Sequence, residues 1–105
     1  MSFKLQANPT FKAQVNIPVP GEKADAVMFT FKHKTRSQID ALLTSLANGD
    51  EHIDNAVKDV VVEWTYPGVD YSAEALEQCL ELFPGSAMAI FTTYRDNLME
   101  ARRKN

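Results

Sequence analysis

Hydrophobic and polar residues alternate along two short stretches near the start of the chain. Residues 11–17 place an apolar side chain at every odd position, and residues 27–31 repeat the pattern. A period of two is typical of a half-buried β-strand. The segment between them, residues 18–21, contains two prolines and a glycine and therefore favours a turn.

The two predicted strands pair most simply as an antiparallel β-hairpin over residues 10–33. Pairing centred near Gly21 sets Phe11 opposite Phe31 and gives the hairpin one continuous apolar face. Because an isolated two-stranded hairpin is only marginally stable in water, that face must pack against the rest of the protein.

After the hairpin the apolar residues recur at the spacing of helices. Thr35 and Gln38 fit a capping box at the start of the first helix. Apolar residues three and four apart follow it, and this spacing recurs between turn-forming residues along the rest of the chain. The pattern predicts four helices, over residues 36–48, 51–64, 73–83 and 86–103.

The second of these helices contains an ambiguous segment. Val60-Val61-Val62 has the β-branched composition of a strand. Its apolar neighbours, Val57 and Trp64, nevertheless keep helical spacing, so we expect a helix that extends to residue 64 with Asp50 as its N-cap.

Taken together, the elements predict an α+β fold: an N-terminal antiparallel β-hairpin followed by about four α-helices. With 105 residues, 45% of them hydrophobic, the chain is predicted to form a helix-rich single domain, residues 1–105. The single cysteine, Cys79, excludes an intramolecular disulfide and fits a reducing cytoplasm. Neither a signal peptide nor an apolar run long enough to span a bilayer is present, so no membrane contact is expected.

Charge is distributed unevenly along the sequence. Residues 1–36 carry six basic and two acidic groups, whereas residues 37–100 carry two basic and twelve acidic groups. The last five residues add three more basic groups. This partition allows copies of the chain to associate head to tail, and a mixed solvated surface is the alternative interpretation.

The sequence contains no arrangement of residues typical of an enzyme. His33 and His52 fall in different predicted elements, and neither has metal-ligand spacing. Cys79 lies on an apolar helical stripe without a basic neighbour, as a buried and inert thiol would. We therefore predict no catalytic residue, no metal site and no cofactor.

A basic cluster, residues 32–36, follows Phe29 and Phe31 and resembles the aromatic and cationic surfaces that bind single-stranded nucleic acid. The two phenylalanines share a strand face with Val27, however, which favours a core position. The acidic middle of the chain would also repel a polyanion, so no nucleic-acid partner is predicted.

Like charges on the third predicted helix form a candidate partner-binding stripe. Glu74, Glu77 and Glu81 repeat three and four residues apart with no cation beside them in the helix. Such a stripe suits Lys and Arg of a partner or of a second copy, whereas a solvated helix face is the alternative. Arg95 and Arg102, seven apart on the fourth helix, are the candidate basic edge.

Several segments resemble one known family. They are NPTF at residues 8–11, IPVPG at 17–21, FTFKHKTR at 29–36 and FPGSAMAI at 83–90. Tyr94, Leu98 and the end of the chain, ARRKN at 101–105, fit as well. Together they resemble the small tail assembly chaperones of long, flexible-tailed bacteriophages and prophages.

The resemblance implies a function that the residues alone do not give. Members of this family bind the tape measure protein, help the tail tube protein to polymerise around it, and are absent from the finished tail. They act as homo-oligomers in the host bacterial cytoplasm, and a programmed frameshift near the end of the short form often gives a longer one.

On this interpretation, the hairpin and the fourth helix, with Phe91, Tyr94 and Leu98, supply the contacts to the partner; ordinary core positions are the alternative for these three residues. Two other functions remain open: a structural tail protein retained in the virion, and a small nucleic-acid-binding phage regulator.

Overall fold

The computed structural model describes Leu5 and residues 8–99 of the chain. It contains the predicted hairpin and four helices, together with one strand that was not predicted. Residues 100–103 of the predicted fourth helix lie outside the described residues. The elements in chain order are β1 (Thr10–Ile17), β2 (Asp25–Lys32), α1 (Arg36–Asn48), α2 (Ile53–Val60), β3 (Val61–Thr65), α3 (Ala73–Leu82) and α4 (Ser86–Met99).

The hairpin has the register expected from its apolar pattern. β1 and β2 are antiparallel, with Phe11 opposite Phe31 and Val15 opposite Val27. In the turn, the Glu22 N–H donates to the Val19 carbonyl at 3.0 Å. Gly21 there has a φ of 77°, a left-handed conformation that favours glycine.

The prediction of one helix over residues 51–64 is wrong, because α2 ends at Val60 and β3 begins at Val61. β3 pairs antiparallel with β2 and makes it the central strand of a three-stranded sheet in the order β1-β2-β3. The strand propensity of the valines is satisfied here because the second edge of β2 offers hydrogen-bonding partners.

A β-bulge explains why this strand has the spacing of a helix. Glu63 pairs with Thr30 and Val61 with Phe31, so Val62 is an extra residue in the ladder. As a result Val61 and Trp64, three residues apart, are both buried. The same spacing in a helix would also place both residues on one face.

The starts of the helices follow capping chemistry. Around α1 the Thr35 hydroxyl accepts from the Gln38 N–H at 3.2 Å, and the Gln38 side chain accepts from the Thr35 N–H at 2.9 Å, which completes the capping box. The N-cap of α2 is His52 and not Asp50, since its Nδ1 accepts from the Asp54 N–H at 3.1 Å. Ser72 caps α3 through the Ala75 N–H at 3.0 Å.

The core lies between the sheet and the helices. α4 packs along β1 and against α2, while α3 contacts both α2 and α4. Tyr94 on α4 is the centre of an aromatic cluster, with ring centroids 5.7 Å from Phe11, 5.2 Å from Phe31 and 5.9 Å from Phe91. Bulky aromatic packing of this kind holds α4 against the sheet.

Candidate partner-binding groove

An open apolar cavity of about 290 Å³ lies between α3, the start of β2 and the loop that follows β3. We call it the α3 groove. Its helical wall is formed by Ala75, Gln78, Cys79 and Leu82, which share one face of α3. Leu82 is 67% exposed, an unusual position for a large apolar side chain that lines a cavity.

The opposite wall of the α3 groove comes from the sheet and the loop. Val27 and Asp25 of β2 stand on this side, and Trp64 of β3 also lines the groove. The loop contributes Tyr66 and Val69, of which Val69 is 46% exposed. The groove is therefore lined mainly by apolar and aromatic side chains, as binding sites for apolar groups are.

Trp64 fixes the loop beside the groove. Its indole Nε1–H donates to the Val69 carbonyl at 3.0 Å. The Tyr71 ring packs edge-on against the indole with centroids 5.0 Å apart. These contacts preorganise the exposed Val69, so that binding would not require the loop to be ordered first.

The side chains of α3 point in three directions: into the core, into the groove and toward solvent. Leu76 is buried in the core, while Cys79 and Leu82 line the groove. Glu74 and Glu81 lie on the adjoining solvent edge, next to Gln78 on the helical wheel. The groove therefore has an acidic border on its helical side.

The charged residues that line or border the α3 groove are acidic. Asp25 is the one charged residue among those that line the groove. Of the predicted acidic stripe, Glu77 is paired with Lys58 of α2, whose Nζ lies 2.6 Å from its carboxylate. Among the described residues no ion pair reaches Glu74 or Glu81.

Cys79 is not the fully buried thiol that its apolar stripe predicts. It is half-buried and lines the α3 groove. Burial raises the pKa of the thiol, against a smaller opposing effect of a hydrogen bond with Ser86. The thiol is thus a weak nucleophile at neutral pH, and its reactivity reports on access to the groove.

Phe91 and Tyr94, which the sequence offers as contacts to a partner, are buried in the structure. Phe91 is 4% exposed and Tyr94 is 0% exposed, so both belong to the core, the alternative that the sequence left open. The Tyr94 hydroxyl has no hydrogen-bond partner among the described residues. Burial, and to a lesser extent the charge of Asp59, raise the pKa of Tyr94 to about 12.

Leu98 and Arg95 of α4 are not among the residues that line the α3 groove. Leu98 is half-buried and packs against the core. Arg95 is exposed, and its guanidinium lies 3.3 Å from the neighbouring Asp96 carboxylate. Arg102 lies outside the described residues.

The basic cluster at residues 32–36 is partly neutralised. Asp59 of α2 lies 2.9 Å from Lys34 Nζ and 3.9 Å from Lys32 Nζ. In the described part of the chain no group of three or more His, Cys, Asp or Glu side chains is placed to hold a metal ion. No described helix is long and apolar enough to cross a membrane.

Sequence reasoning overlooked the residues of the α3 groove. A signal was present on α3, where Ala75, Cys79 and Leu82 form a second apolar stripe at spacings of four and three. Val69 had no such signal, because its position depends on a loop that is held by Trp64.

The fold and the groove define a small α+β domain that presents a preformed apolar surface with an acidic border. The family model described as phage tail assembly chaperone matches residues 1–105, the whole chain. This protein therefore belongs to the phage tail assembly chaperone family, and its role is that of a chaperone in tail assembly, with tail proteins as partners. No curated protein and no solved structure matches the chain.

Proposed function

We propose that this protein binds the tape measure protein of its phage, keeps it soluble, and promotes polymerisation of the tail tube protein around it. In this role it is non-enzymatic and acts in several copies in the host bacterial cytoplasm. The observation that carries the proposal is the α3 groove on a chain of the tail assembly chaperone family.

The chemistry of the groove suits a long helical partner. Uncovered apolar helix faces associate with one another, and a binding protein prevents this by covering them. Leu82 and Val69 are exposed beside the groove and become buried when such a face is laid into it. Full burial of one such side chain is worth about 1.5–3 kcal/mol.

Several copies are required because one groove is small. A cavity of about 290 Å³ accommodates only a few side chains. The family resemblance implies that the tape measure protein is, by contrast, a long helical ruler. Repeated copies along the partner also explain the uneven charge of the sequence, which favours head-to-tail contacts between neighbours. Arg95, which is exposed on α4 outside the groove, remains a candidate for these contacts.

Co-expression tests this function. The chain is tagged and produced with the tape measure protein of the same phage, and the soluble fraction and the pull-down are measured. We expect the partner to become soluble in its company and to co-purify with several copies. Equal solubility of the partner with and without this chain would contradict the proposal, and recovery of the chain from purified tails would indicate a structural protein instead.

A further inference from the structure

We propose that the α3 groove selects a cationic amphipathic helix, one whose apolar face is flanked by Lys or Arg. This inference rests on the proposed function, since it specifies which segment of the tape measure protein binds. It arises from the position of the acidic groups around the groove.

Negative charge borders the α3 groove on two sides. Asp25 lies on the wall that the sheet and the loop form, and Glu81 and Glu74 lie along the solvent edge of α3. The groove is lined by no Lys, Arg or His, within the part of the chain that the structure describes. A helix that enters with Lys or Arg on both flanks of its apolar face would meet a carboxylate on each side.

A helix suits the groove better than an extended segment. β3 pairs with β2 only from Met28 to Phe31, so the edge of β2 beside the groove extends over Asp25–Val27. Three residues are shorter than most strands and hold an added strand weakly. A helix satisfies its own backbone hydrogen bonds and needs only side-chain contacts from the walls.

The described helices of a second copy do not supply this occupant. α1 carries Arg36, α2 carries Lys58, α4 carries Arg95, and α3 carries no cation. A helix with one cation cannot place positive charge on both flanks. Lys58 and Arg95 also lie within ion-pair distance of acidic groups of their own chain.

Charge reversal at the groove tests the inference on the full chain bound to the tape measure protein. The variant Asp25→Lys/Glu81→Lys introduces a positive charge on each side of the groove; Glu81 lies in the last turn of α3, where a cation is tolerated. The matched control Asp40→Lys/Glu63→Lys makes the same change in net charge at exposed positions of α1 and β3 outside the groove. Affinity is measured by titration at low and high NaCl.

We expect about tenfold weaker binding for Asp25→Lys/Glu81→Lys at low salt, a difference that shrinks as salt is added. The control should bind like the wild type. Equal affinity of the two variants, with the wild-type complex intact, would overturn the cationic helix and leave the proposed function standing. Absence of a wild-type complex would instead refute the proposed function.

Cross-linking identifies the occupant directly. A short thiol-reactive cross-linker on Cys79 is expected to capture a tape measure segment with apolar residues at helical spacing and Lys or Arg on both flanks. Capture of an acidic segment, of a segment with strand alternation, or of a second copy of this chain would overturn the inference.

Discussion

The last two described helices use their apolar side chains in opposite ways. α4 buries Ile90, Phe91 and Tyr94 almost completely. α3 buries only Leu76 to this degree and leaves Leu82 67% exposed. The comparison teaches that an apolar helical stripe alone does not distinguish a side chain that stabilises the fold from one available to a partner.

Position relative to the sheet accounts for the difference. α4 lies along β1 and against α2, so its stripe is covered by the hairpin and a second helix. α3 lies beyond the end of β3. The side of this helix that lines the groove faces Val27 and Val69 across an open cavity. The groove-lining side chains of α3 therefore remain available for binding, whereas Ile90, Phe91 and Tyr94 of α4 are buried in the core. Among the large apolar side chains described on α4, only Met88 and Met99 stay exposed.

Removal of the Tyr94 side chain should give the largest effect. Tyr94→Ala leaves a cavity amid three phenylalanine rings, and we expect a loss of about 3–5 kcal/mol in the free energy of unfolding. Urea denaturation followed by circular dichroism measures it. A loss below about 1 kcal/mol would contradict the core position of α4.

Tyr94→Phe separates the effect of the hydroxyl from that of the ring, because it removes only the unpaired hydroxyl. We expect stability at pH 7 to be unchanged or to rise by about 1 kcal/mol. The folded-state pKa of about 12 lies above the ordinary value of 10.0, so the neutral phenol contributes stability below pH 10 that is lost as the pH rises through 12. Tyr94→Phe should lack this loss, whereas the same alkaline loss in both proteins would show that Tyr94 does not cause it.

Exposed apolar residues on the two helices allow a matched comparison of binding. Leu82→Ser on α3 should weaken tape measure binding about tenfold, because burial of the leucine contributes about 1.5–3 kcal/mol. Met88→Ser on α4 changes a residue that is 61% exposed but lies outside the groove. We expect the second variant to bind like the wild type, and equal effects of both substitutions would remove the distinction between the helices.

Ser86 links the two helices and should give a smaller effect. Its buried hydroxyl at the start of α4 donates to the Cys79 carbonyl near the end of α3 at 3.2 Å. Ser86→Ala should lower the free energy of unfolding by about 1 kcal/mol. A loss of less than about 0.3 kcal/mol in chemical denaturation would indicate that this hydrogen bond does not hold α3 against α4.

The ion pair between Lys58 and Glu77 should matter least. Both side chains are largely exposed, with 40% and 65% of their surface accessible. Lys58→Ala should therefore change stability by no more than about 0.5 kcal/mol, and added salt should remove the difference. A larger change that persists at high salt would show that the pair fixes α2 against α3.

Much of the fold could be predicted from local pattern. The register of β1 and β2 follows from alternation, and the capping box follows from Thr35 and Gln38. β3 could not be predicted in this way, because the bulge at Val62 gives a strand the spacing of a helix. Only the unpaired edge of β2, a feature of the assembled sheet, distinguishes a strand from a helix at residues 61–64.

The candidate binding surface was less predictable than the fold. Tyr94 and Leu82 both lie on apolar stripes at helical spacing. Their exposure differs because other elements cover Tyr94 in the folded protein and leave Leu82 uncovered. Within the acidic border, Glu74 and Glu81 belong to the stripe that the sequence indicates on α3, whereas Asp25 joins it from a distant part of the sequence. Charges brought together by tertiary structure leave no periodic signal in the chain.

Alkylation of Cys79 tests the central claim most directly, because the one cysteine of the chain lines the α3 groove. Burial raises its pKa, so the reaction is followed at mildly alkaline pH, with and without the tape measure protein. We predict that the bound partner slows alkylation about tenfold or more while the chain remains folded. An unchanged rate in a demonstrated complex would place the partner elsewhere and contradict the α3 groove as its binding site.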